Sequence, residues 1–126
     1  KEDIKKSKLK LDCSTNDDFC QVAEKCDSLA TQLKPIGFQL SGTVFEVPPS
    51  VYLHQAQDVC QFGVYKNEIG GESSNMFIIG EPLLKSLYIV YDFEKQQIKM
   101  GKNKDAKDDI VIYKPGAREE GLAILA

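Results

Sequence analysis

The chain has 126 residues, 42% of them hydrophobic and 28% charged, and its 16 basic and 19 acidic side chains give a net charge of −3. That length fits one domain with a modest core, and the composition is that of an ordinary soluble globular protein. A mildly acidic chain lacks the electrostatic footprint of a nucleic-acid binder, and no apolar stretch approaches the roughly 18 residues that span a bilayer, so neither a nucleic-acid partner nor a membrane span is expected.

The chain opens Lys-Glu-Asp, with no initial Met and no basic region leading into an apolar run. No signal peptide is read there, and a processed or truncated polypeptide is expected. Lys1, Lys5, Lys6, Lys8 and Lys10 form a basic cluster that reads as a solvated strand or a frayed terminus. Leu9 and Leu11 alternate with Lys8, Lys10 and Asp12, the period of two expected of an exposed edge strand. Ser14 to Asp18 is a run of short polar residues whose side chains bond their own backbone, hence a turn. Cys13 and Cys20 flank it, which suggests a hairpin clipped at its base.

The four cysteines are Cys13, Cys20, Cys26 and Cys60. An even count in a short chain fits two disulfides and an oxidising compartment, with three pairings open. Zinc is the weaker reading. Cys13-x6-Cys20-x5-Cys26 contains no C-x2-C knuckle, and His54, the only histidine, is not placed to complete a site.

Further along, Asp27-Ser28 leads to Leu29, Leu33 and Pro35, a turn of helix or a short connection. Ile36, Phe38 and Leu40 alternate up to Ser41-Gly42, and Val44 to Val47 follow, which predicts a hairpin. Pro48-Pro49 ends the returning strand by removing backbone donors, and Ser50 to Leu53 continues extended or as a short helix. Cys60 to Tyr65 reads as a strand, and Gly70 to Asn75 as a loop. Met76 to Ile79 is predicted to be a buried strand, because four successive apolar residues do not alternate. Glu81-Pro82 starts a helix whose buried face is assigned to Leu83, Leu84 and Leu87. Leu87 to Tyr91 is a strand that turns back through residues 92–97 into Ile98 to Gly101, and Ile110 to Tyr113 is either one more strand or a loosely held end. Met76 and Met100 fall on strands and are core candidates.

The segment from Met76-Phe77-Ile78-Ile79-Gly80-Glu81-Pro82 to Tyr88-Ile89-Val90-Tyr91-Asp92 resembles the C-terminal signature of the pepsin-like aspartic endopeptidases. Phe45-Glu46-Val47-Pro48-Pro49-Ser50-Val51-Tyr52, Gly63 with the loop after it, and the turn from Asp92 to Ile98-Lys99-Met100-Gly101 stand in that family's order. The resemblance covers roughly residues 26–104, leaving 1–25 as a lead-in and 105–126 as a charged extension. It implies a mainly β fold, part of the C-terminal lobe of a two-lobed β-barrel protease, with one short helix after Gly80. It also implies a disulfide between Cys26 and Cys60 around a loop of the family's length; Cys13 and Cys20 have no clear counterpart there, and their pairing rests on the clipped-hairpin reading. Glu81 departs from the family's commoner aspartate at that point.

The implied chemistry uses two carboxylates about 3 Å apart that share one proton; one activates a water and the other protonates the scissile carbonyl. Each comes from an Asp-Thr/Ser-Gly copy, and this chain contains none. No catalytic residue is therefore assigned within the chain, which alone is expected to be inactive, and the partner expected is an N-terminal lobe or heavy chain. The adjacent pairs Asp17-Asp18 and Asp108-Asp109 read as surface turns, and His54 as a surface residue. By carry-over, Ile78, Ile69 and Asn67 line the substrate groove, with the core as the alternative place for Ile78. Gly80 is assigned to close backbone packing. The resemblance implies a polypeptide substrate, no cofactor and no metal, and a secreted or lysosomal/vacuolar setting. The main alternative is a homologue that has lost its aspartates and acts as an inhibitor or binding protein; a third reading is a free-standing, disulfide-stapled interaction domain.

Overall fold

The computed structural model describes residues 12–13, 20–65, 77–108, 110–116 and 122–125, with the backbone alone at 12–13 and 122–125. The chain divides into two compact units, Lys1–Lys34 with Tyr52–Ile78, and Pro35–Val51 with Ile79–Ala126. Strands dominate both, and every strand pair among the described residues is antiparallel.

The first unit carries a four-stranded sheet in the order β1-β2-β6-β5, built from β1 (Asp12–Cys13), β2 (Cys20–Val22), β5 (Leu53–Ala56) and β6 (Val59–Phe62). The predicted edge strand and polar turn fall outside the described residues, apart from the pairing of Asp12 with Gln21 and of Cys13 with Cys20. Helix α1 (Cys26–Ala30) follows β2 and sends Leu29 into full burial, so the helical alternative for this stretch is the one that forms. Val22, Leu53, Cys60 and Phe62 are also buried among the described residues of this unit, with Tyr52.

The β5–β6 hairpin has no counterpart in the sequence reading. Ala56 pairs with Val59, which leaves Gln57-Asp58 as a two-residue loop with Gln57 at φ 51°. Glutamine is not a usual left-handed turn residue and occupies that region at a cost of about 1 kcal/mol. Gln55 offsets it, donating from Nε2 to the carbonyls of Gln57 (2.9 Å) and Val59 (3.1 Å). The strand expected over Cys60 to Tyr65 therefore runs from Val59 to Phe62, and Val64 and Tyr65 are exposed beyond it.

The second unit holds two three-stranded sheets, in the orders β3-β4-β9 and β10-β8-β7. β3 (Ile36–Leu40) and β4 (Thr43–Val47) form the predicted hairpin. Ser41 and Gly42 both have positive φ (46° and 77°), the pair of left-handed residues a type I′ turn requires. β4 alternates as its sequence demands, burying Thr43, Phe45 and Val47, and Phe45 stacks on its register partner Phe38 with centroids 5.3 Å apart. Pro48-Pro49 ends the strand as expected, and α2 (Pro49–Tyr52) begins at the second proline.

Helix α3 (Glu81–Leu84) follows Gly80, with Pro82 in its first turn. It leads to β7 (Leu87–Asp92), which pairs with β8 (Gln97–Lys102), as the sequence predicted. The helix is only four residues long and buries none of them; Leu84 is exposed and Leu83 half-buried. The buried face assigned to Leu83, Leu84 and Leu87 is thus corrected: the helix stops before Leu87, which is buried as the first residue of β7.

Ile110 and Ile112 are almost completely buried, and β9 (Val111–Tyr113) pairs with β4, so the last apolar run becomes a strand. Its Tyr113 hydroxyl donates to Glu46 Oε2 at 3.2 Å. β10 (Leu122–Leu125) closes the other sheet along β8. Met100 is buried on β8, whereas Met76 lies outside the described residues.

Candidate functional site

Three residues were assigned to a substrate groove. Asn67 and Ile69 lie outside the described residues. Ile78 is exposed to 63% and Phe77 to 89%, and neither belongs to a strand. The expectation of a buried strand over Met76 to Ile79 is therefore corrected for Phe77 to Ile79. An apolar run is buried only where neighbours cover it, and no strand among the described residues pairs with these three. Among the described residues, Ile78 is exposed and lies outside their core.

Gly80 is the N-cap of α3, extended at φ −94° and ψ 176°, and its carbonyl accepts from the amides of Leu83 and Leu84 (both 3.1 Å). A Cβ added to it would first meet Pro82 Cδ at 3.6 Å, an ordinary contact. Among the described residues, neither the backbone conformation nor crowding requires a glycine here. Glu81 occupies the first turn, where its charge complements the partial positive charge of the helix start.

The end of this helix is held from a distance. Asn103 Nδ2 donates to the carbonyl of Lys85 (3.3 Å), and the Asn103 amide to that of Ser86 (3.1 Å). Asn103 Oδ1 in turn accepts from the amide of Asp105 (3.1 Å). At the far end of β7, Asp92 Oδ1 accepts from the amide of Lys95 (3.0 Å) inside the turn, and Oδ2 lies 3.8 Å from Lys99 Nζ. Asp92 is thus a turn former with an ion partner.

Cys20, Cys26 and Cys60 are oxidised. Cys26 and Cys60 are bonded, with Cα atoms 5.0 Å apart, tying the start of α1 to β6. Cys20 is also disulfide-bonded, and Cys13 is the residue opposite it in register. His54 lies exposed on β5, in agreement with its reading as a surface residue. Asp108 is half-exposed, while Asp17, Asp18 and Asp109 lie outside the described residues. No cluster of three or more His, Cys, Asp or Glu suited to a metal occurs among the described residues.

Two further braces went unread in the sequence. The Tyr52 hydroxyl donates to the carbonyl of Lys34 at 2.8 Å, and the Tyr52 carbonyl accepts from the amide of Gly63 at 2.7 Å. The tyrosine of the Val-Pro-Pro-x-x-Tyr stretch is therefore a buried pin, and burial raises its phenol pKa above the ordinary value. Lys25, the N-cap of α1, makes no side-chain cap; Gln55 Oε1 instead accepts from the amide of Cys26 at 2.8 Å. The signal for Tyr52 was present in its spacing from the two prolines. A capping side chain 29 residues downstream leaves no local trace.

The first unit thus carries a stapled sheet beside α1, the second carries the half-turn α3, and the sequence holds no Asp-Thr/Ser-Gly motif. The model of the eukaryotic aspartyl protease family matches residues 1–103, and the chain belongs to that family. The match reaches over residues 1–25, ahead of the stretch that the resemblance covered. Among its relatives, pepsin A of Bos taurus is 28% identical over 85 residues, 68% of this chain and 23% of that protein. Gastricsin of Rattus norvegicus is 32% identical over 80 residues, 63% of this chain and 18% of the relative. Gastricsin of Macaca fuscata fuscata is 29% identical over 83 residues, 65% of this chain and 22% of the relative. The chain thus spans about a fifth of the length of the curated relatives it matches. No solved structure matches it.

Proposed function

We propose that the chain is the C-terminal part, either a fragment or a processed light chain, of a pepsin-like aspartic endopeptidase that hydrolyses peptide bonds with a two-aspartate, water-activating mechanism. Both aspartates are supplied from outside these 126 residues, and the chain alone cleaves nothing. The observation that carries this reading is the family match over residues 1–103 in a chain that holds no Asp-Thr/Ser-Gly. In the assembled enzyme the partner is the N-terminal lobe or heavy chain, the substrate is a polypeptide, and no cofactor takes part. Ile78, Ile69 and Asn67 contribute to the substrate groove; the exposure of Ile78 supports its part in this. Cys13 pairs with Cys20, which is supported by their facing register and by the oxidised state of Cys20. Two disulfides suit a secreted or lysosomal/vacuolar compartment.

The test is intact mass and N-terminal sequencing of the natural protein, reduced and non-reduced, followed by an acid proteolysis assay with and without pepstatin. The expected result is a precursor or companion chain bearing two Asp-Thr/Ser-Gly motifs and pepstatin-sensitive cleavage. An upstream motif with its aspartate substituted would transfer the chain to the inhibitor or binding-protein reading. A natural product that begins at Lys1 and has no companion would sink the enzyme reading.

A further inference from the structure

We draw no further inference here: the strongest candidate, the exposed aromatic pair Tyr91 and Phe93 at the turn end of the β7–β8 hairpin, beside a concavity of about 350 Å³, carries nothing because nothing in the structure shows what covers it.

Discussion

The two units reach order by different means. In the first, the strands are two to four residues long, and a disulfide, the Tyr52 hydroxyl and the Gln55 amide hold the chain at particular points. In the second, β3 and β4 have five residues each and β7 and β8 six, and burial alternates along β4 so that one face carries the stabilisation. Short strands bury little apolar area, and local ties then matter more; a long strand at the centre of a sheet needs fewer of them. Within the second unit the same contrast recurs between positions. β4 lies between two strands and buries every second residue, whereas β7 lies at an edge and leaves Tyr88 and Tyr91 exposed to 67% and 60%.

The largest test of this contrast removes the centre of the second unit. Phe45→Ala deletes a fully buried ring and is expected to cost about 3–5 kcal/mol, while Tyr88→Ala on the exposed edge strand costs less than about 1 kcal/mol. Urea midpoints measure both, and equal losses would break the distinction between centre and edge. In the first unit, converting Cys26 and Cys60 to serine releases a loop with a sequence separation of 34 and should cost about 4 kcal/mol in the chain-entropy account. Amide exchange then tells the units apart: protection should fall over residues 53–62 more than over 36–47, and a uniform fall would show that the staple does not belong to one unit.

A smaller effect is expected at Tyr52. Tyr52→Phe loses a hydrogen bond to Lys34, for about 1 kcal/mol, and changes the alkaline limb of stability. Because burial raises the folded-state pKa, the stabilisation is complete below the unfolded phenol value near 10 and is lost as pH rises through the higher folded value. Stability of the parent chain should therefore fall above about pH 10 more steeply than that of the phenylalanine variant. Parallel alkaline profiles would remove Tyr52 as the pin. Gly80→Ala should be smallest, within about 0.5 kcal/mol, since its backbone is extended and a Cβ there makes an ordinary contact. A loss above about 2 kcal/mol would mean the glycine is needed for packing after all.

Much of the second unit was legible before any coordinates. Ser41-Gly42 between alternating strands, the proline pair after Val47, and the turn from Asp92 to Gln97 are local devices, each set by the backbone preferences of a few neighbouring residues. The Cys26–Cys60 bond was accessible through the resemblance, and the structure contains it. The β5–β6 hairpin was not legible: its turn uses Gln57 at positive φ, and what supports that turn is a side chain outside it. Of the groove residues, only Ile78 can be located among the described residues, and it is exposed.

By itself, then, the sequence determined the family, the mainly β class and the positions of the strongest turns, because these rest on residue order and on short-range backbone preference. Tertiary structure decided which apolar residues are covered. Phe45 and Phe77 are the same residue type in similarly apolar runs, yet one is fully buried and the other 89% exposed. Burial is a property of what lies across from a side chain. That depends on strand order and on which neighbours are present, neither of which is written at the position itself.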